Sequence, residues 1–241
     1  QYYLATGKFP ILMDNRRQKL RLSQIEERAK LITPGTNVVS YEQVSVSNFA
    51  TPSQTIIDTI IDKRKTVGIA SFPEGYLFAV AALESNFVDD LVDNDASGLY
   101  QFTTAQWNSI SSTYDPDGTA YGLQIVGTLD QRTDVEKATV AACLVTNANN
   151  GTLQGVLKRS PTQDELYCAH LFGIVDAQVL AKANTNTSLD LLTDLSPNFV
   201  TNNATYTKDA NNQTLLVGEF FQNLRNQISK ISYTYSQLYG V

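Results

Sequence analysis

The stretch AVAALESNFVDDLVDNDASGLYQF, residues 79–102, sets a glutamate directly after a run of small and apolar residues. On a helix, Leu77, Val80, Ala81 and Glu84 share one face, because positions three, four and seven apart stack. The spacing therefore predicts that Glu84 points toward the core. Burial disfavours an ionised carboxylate, and the negative end of a helix disfavours it further, so a raised pKa is expected. A carboxylic acid kept protonated near neutrality is what general-acid cleavage of a glycosidic bond requires. The same position also suits a buried glutamate paired with Arg or Lys, and helical geometry alone leaves both readings open.

The surroundings predict a mainly helical protein. Before Glu84, a helix is expected from Pro73 to Phe87, with Pro73 and Glu74 in its first turn. Upstream, Ser53 is placed to cap a helix whose Ile56, Ile57, Ile60 and Ile61 recur on one side, with Gly68 as its stop. After Glu84, VDDLVDNDASG is rich in turn formers and predicts a loop or small β-hairpin. Thr103 is placed to cap TAQWNSISSTY, and DPDG (115–118) reads as a turn. Thr133 with Glu136, and Thr162 with Glu165, have the hydroxyl-to-carboxylate spacing of capping boxes and are expected to open two more helices. The second of these should end at Gly173, with VDAQVLAKA as a helix after it.

The two ends differ from the centre. Residues 1–50 combine the aperiodic QYYLATGKFP, the charged and helix-compatible NRRQKLRLSQIEERAKLI and the strand-like NVVSYEQVSV, a composition that suits an extended arm docked on a partner. At the other end, Val217, Phe221, Leu224, Ile228, Ile231, Tyr235 and Leu238 alternate spacings of four and three. This heptad seam fits either a partner helix or a terminal helix packed on its own domain.

Composition narrows the function. The chain has 241 residues and a formal net charge of -6. That is enough for one sizeable core, and it lacks the basic footprint of a nucleic-acid binder. No apolar run approaches the roughly 18 to 20 residues of a membrane helix, and a signal peptide is not expected from the opening residues given. A first residue of Gln leads us to expect a chain processed, trimmed or cut from a longer polypeptide. Cys143 and Cys168 are expected as buried free thiols, and with one histidine in the chain they form no zinc set.

ESNF, then ASGLYQF, then a Thr-capped helix bearing Trp107, resembles the lytic transglycosylase branch of the lysozyme superfamily. The resemblance continues through QRTDVEKATVAACLVTNANNGTL, with its Arg-x-Asp start, and LKRSPTQDELYCAHLFG, which is similar to the Leu-Tyr-x-Ala-His segment of phage peptidoglycan-degrading enzymes. It closes with LSPNFVTNNATYTKDANNQTLLVGEFFQNL. It spans roughly residues 70–225 in order.

This resemblance implies a two-lobed, lysozyme-like helical domain over 51–225, between an N-terminal arm (1–50) and a C-terminal helical extension (226–241). It implies Glu84 as the catalytic acid and base. Ser85, Gly98, Tyr100, Gln101, Phe102, Tyr114, Tyr167 and Tyr206 would form the sugar-binding set, Ser85 orienting the acid or the substrate, Gly98 letting backbone approach the sugar and the Tyr167 hydroxyl contacting the reacting sugar or Glu84. The implied reaction cleaves the β-1,4 bond between N-acetylmuramic acid and N-acetylglucosamine, yields a 1,6-anhydromuramyl product and needs no metal or cofactor. The arm, the tail and the acidic charge favour a phage virion component of tail or baseplate acting in the bacterial periplasm. Its partners would be glycan strands and phage structural proteins, with neither nucleic acid nor membrane.

Two alternatives stand beside it. Asp89, Asp90, Asp93 or Asp95 could hold water for inverting hydrolysis, as in a muramidase or endolysin, if a carboxylate sat about 6.5 to 9.5 Å from the acid. The acidic loop reads equally as solvated, with Asp95 or Asn94 in turn hydrogen bonds. An inactive lysozyme-like structural module of a phage tail is the other alternative. His170 is read as a core or supporting histidine, and Trp107 as core.

Overall fold

A computed structural model describes residues 49–67, 72–73, 75–123 and 130–240. The expected N-terminal arm, apart from its last two residues, lies outside them, as do Gly68 and Glu74. The described chain is mainly helical with one small sheet. Helix α1 is Gln54–Thr66 and α2 is Tyr76–Ser85. Strands β1 (Val92–Asp93), β2 (Ala96–Ser97) and β3 (Phe102–Thr103) follow, then α3 (Thr104–Tyr114). The second half holds α4 (Val135–Leu157), α5 (Gln163–Phe172), α6 (Ile174–Lys182), the short α7 (Phe199–Asn202) and α8 (Ala204–Thr207), and α9 (Val217–Tyr239).

Several caps follow the sequence reading. Ser53 accepts the Ile56 N–H at the start of α1, and Ile56 and Ile60 are buried. Thr103 and Gln106 cap α3 reciprocally. Thr162 and Glu165 form the expected capping box on α5, which ends at Gly173. Both cysteines are buried free thiols, and burial pushes Cys143 up to about 12, which keeps it inert.

Two starts differ from expectation. Helix α4 opens at Asp134, whose carboxylate accepts the Lys137 N–H; Thr133 lies one step earlier, in a 3-10 turn formed by Gln131–Thr133. Asp wins because it brings a full negative charge to the positive end of a 23-residue helix. Helix α2 begins at Tyr76 rather than Pro73, with Gly75 as its N-cap. A Cβ on Gly75 would sit 1.9 Å from the Ser232 carbonyl oxygen, so α2 can start only where a glycine lets α9 pass.

Helix α2 is the hub of the core. Every residue from Tyr76 to Ser85 is buried, so it is wrapped on all sides and is not amphipathic. Helix α9 packs along α2 and α5, burying Val217, Phe220, Leu224, Ile228, Ile231 and Tyr235. Each contributes roughly 1.5 to 3 kcal/mol by leaving water. Phe78 stacks on Tyr235 at 5.8 Å, and Phe87 meets the same ring edge-on at 5.5 Å. Arg225 of α9 reaches the buried Asp164 of α5 at 3.0 Å. The heptad seam is thus consumed within the chain. Helix α9 runs unbroken past residue 226, Phe220 takes a core position beside the half-buried Phe221, and Leu238 is 57% exposed. No helix among the described residues is long and apolar enough to cross a membrane.

The expected hairpin is a three-stranded antiparallel meander, with β3 added beyond β1 and β2. Its strands are two residues long, so side chains do most of the fastening. Asp95 accepts from the backbone N–H and hydroxyl of Thr104. Arg132 donates to the carbonyls of Asp95 and Phe102 while held by Asp130, which ties the sheet to the start of α4.

Candidate active site around Glu84

Glu84 sits in the last turn of α2 and is 1% exposed. The next residues, Asn86 and Phe87, both have positive φ (53° and 60°), a conformation costing about 1 to 2 kcal/mol for an L residue. Two contacts hold it in place. The Asn86 side chain accepts the Ala50 N–H at 2.7 Å, and the buried Phe87 ring seats on Tyr235. The chain therefore turns sharply two residues after Glu84, where Asn86 is the left-handed C-cap of α2.

Opposite Glu84 stands α5. The Tyr167 hydroxyl donates to Glu84 Oε1 at 2.9 Å, across 83 positions of sequence. Both residues are about 1% exposed. Tyr76, at the far end of α2, feels the same carboxylate: burial first, then the negative charge of Glu84, push its phenol well above the usual range. Tyr76 remains protonated and uncharged. The acid is thus buried, with the Tyr167 phenol as a hydrogen-bond donor.

From Tyr167 a chain of rings leads to the sheet. His170, one turn later and half-buried, lies nearly parallel to Tyr167, with centroids 6.3 Å apart. Phe102 meets His170 edge-on at 5.8 Å and packs in turn on Tyr100 and Trp107. The Trp107 indole N–H donates to the Leu123 carbonyl, in keeping with its reading as core. The structure therefore joins Glu84, Tyr167, Tyr100 and Phe102 through direct contacts and His170.

The remaining sequence-predicted residues take other parts. The Ser85 hydroxyl is buried and donates to the Ala81 carbonyl, so its proton serves the helix rather than Glu84. Gly98 (φ 79°) is approached by the Arg132 backbone: a Cβ there would lie 1.7 Å from the Arg132 carbonyl oxygen. Its small size lets chain meet chain, where sequence reasoning expects a sugar. Gln101 (φ 51°) spends both amide hydrogens on the carbonyls of Leu91 and Gly98, pinning the loop; its Oε1 is buried with no partner among the described residues. Tyr100 points its hydroxyl toward Thr139 and Cys143 in the core. Tyr114 is half-buried at the end of α3, and Tyr206 is half-buried and lies edge-on to Phe172 at 5.4 Å.

Two of the acidic residues after Glu84 make structural contacts. Asp95 caps α3 as described, and Asp93 accepts from Asn94 at 3.1 Å, matching the turn role expected of this loop. Sequence reasoning misses Arg132 as a site-supporting residue. Its only sequence signal is the Arg-x-Asp start before α4, and its contacts become visible only when the sheet folds against that helix. No family model matches the chain.

Proposed function

We propose that this protein cleaves the β-1,4 bond between N-acetylmuramic acid and N-acetylglucosamine in peptidoglycan as a lytic transglycosylase, with Glu84 as its acid and base. The observation that carries the reading is the hydrogen bond from Tyr167 to Glu84. It brings the two resemblance motifs, ESNF and LYCAH, to one point in a buried site.

The chemistry follows from what that pair can do. Glu84 protonates the glycosidic oxygen as the bond breaks, and the Tyr167 hydroxyl stabilises the carboxylate that forms. A donor aimed at developing charge is worth most where water is excluded. The muramyl 2-acetamido group attacks its own anomeric carbon, standing in for a protein nucleophile. Glu84 then takes the proton from the muramyl C6 hydroxyl, whose oxygen bonds to the anomeric carbon as the bond from that carbon to the acetamido oxygen breaks; the anhydro ring closes, the acetamide is returned and the acid is restored.

Asp95 is engaged by Thr104, while Asp89, Asp90 and Asp93 keep inverting hydrolysis, in which a second carboxylate holds water, as the alternative outcome. The anhydro product is lighter than the hydrolytic one by one water, so mass spectrometry of digested peptidoglycan separates the two. Turbidity loss on permeabilised Gram-negative cells tests activity itself. Wild type should clear the suspension and Glu84→Gln should not; equal clearing by the two would remove Glu84 from the mechanism, and clearing by neither would favour an inactive structural module. A place in a phage tail or baseplate remains part of the proposal, with docking assigned to the N-terminal arm (1–50), since the seam of α9 from Val217 to Tyr235 packs within the chain.

A further inference from the structure

We propose that His170 is a positioning residue for the Glu84–Tyr167 pair, acting through the flat face of its ring; this rests on the function proposed above. His170 has an aromatic neighbour on each of two elements of the site. One is Tyr167 of α5, nearly parallel at an interplanar angle of 12° with centroids 6.3 Å apart. The other is Phe102 of β3, whose edge-on ring is inclined at 62° and 5.8 Å away and whose carbonyl is held by Arg132. The imidazole therefore links the aromatic ring of the sheet to that of α5. Tyr167 and His170 are one turn apart on the same helix face, so a ring at 170 bounds the space into which Tyr167 could swing. The hydroxyl of Tyr167 lies at the far end of its ring, where a small tilt becomes a large displacement. Misplacing a catalytic group by about 1 Å can cost roughly 100-fold in rate.

Two substitutions separate the ring from its nitrogens. His170→Phe keeps a planar ring and should hold kcat within about threefold of wild type. His170→Ala removes that link and should lower kcat about 10- to 100-fold with KM nearly unchanged, since the alignment of Tyr167 on Glu84 matters at the transition state. Should His170→Ala fail to fold, His170→Leu, which fills volume without a flat face, should show the same selective drop in kcat.

A readout independent of turnover is the NMR signal of the Tyr167 ring carbon bearing the hydroxyl, in full-length protein with labelled tyrosine, assigned through its disappearance in Tyr167→Phe. It should be retained in His170→Phe and displaced in His170→Ala. An unshifted signal and full kcat in His170→Ala would overturn the proposal. So would a decrease in His170→Phe equal to that in His170→Ala, which would assign the effect to the imidazole nitrogens. If wild type and Glu84→Gln both make no anhydro product, the functional reading fails on its own, and the NMR signal still decides the role of His170.

Discussion

Replacing Gly98 with alanine tests how the sheet is seated against α4. Two costs combine at this position. The first is conformational: at φ 79°, an L residue loses about 1 to 2 kcal/mol relative to glycine. The second is steric: the new Cβ would lie 1.7 Å from the Arg132 carbonyl oxygen and 2.6 Å from its carbon. Neither atom is the end of a flexible side chain. The backbone of Arg132 or of Gly98 must retreat, which overpacking data place at about 1 to 3 kcal/mol. The total is about 2 to 5 kcal/mol.

Gly122 supplies the control. Its φ is 66°, and the nearest atom to an added methyl would be the flexible Lys137 Cε at 3.7 Å. Gly122→Ala should therefore cost only the conformational part, about 1 to 2 kcal/mol. In thermal unfolding, each kcal/mol lowers Tm by about 2 to 4 °C at this size. Gly98→Ala should fall about 10 °C and Gly122→Ala about 4 °C. Equal shifts would refute the close approach of Arg132 to Gly98. Because Gly98 also receives Gln101 and leads into Phe102, its alanine variant should lose activity at temperatures where it is still folded.

Three further outcomes are expected. Tyr167→Phe keeps the ring and deletes the hydroxyl, so steady-state turnover of glycan strands should drop about 10- to 100-fold, the equivalent of about 1.5 to 3 kcal/mol for a buried hydrogen bond to a charged group; unchanged kcat would remove Tyr167 from the mechanism. Burial pushes the Glu165 carboxyl up, but the Arg159 guanidinium and the Thr162 N–H outweigh it and hold it below its usual range. A folded-state pKa below the unfolded one gives stability that is present above the unfolded value, near pH 4.5, and lost as pH falls through the folded one. Wild-type Tm should therefore decline more steeply than that of Glu165→Gln below about pH 4.5. Ile228→Ala, at a site with 0% exposure, should cost about 2 to 5 kcal/mol by denaturant unfolding, and truncation after residue 225 should abolish cooperative unfolding; a truncated chain of normal stability would make 226–241 a true appendage.

Much of the fold is legible in the sequence, for local reasons. Caps such as Ser53, Thr103 with Gln106, and Thr162 with Glu165 act within one turn, so neighbours in sequence are enough to place them. Turn chemistry is equally local: Gly118 N–H bonds back to the Asp115 carbonyl in DPDG. The start of α4 is ambiguous in sequence because Thr133 and Asp134 compete for one role, and only the path of the chain through the preceding 3-10 turn selects Asp134. Sequence shows only one side of helix α2, since the Leu77, Val80, Ala81, Glu84 face looks like the buried one. In the structure every face is covered, because α9 fills the side that local spacing leaves open.

By itself, the sequence determined that the protein is helical around a glutamate placed where a carboxylate is costly, and which motifs accompany it. These properties depend on spacing and on the chemistry of single residues. Tertiary structure decided that of the two contacts the resemblance implies for Tyr167, sugar or Glu84, the one to Glu84 is made, that the Arg132 backbone lies against Gly98, that Asp95 binds the first residue of α3, and that the seam from Val217 to Tyr235 packs inward. Each of those depends on which surfaces, distant along the chain, come within about 3 to 4 Å of one another, and no local pattern encodes that distance.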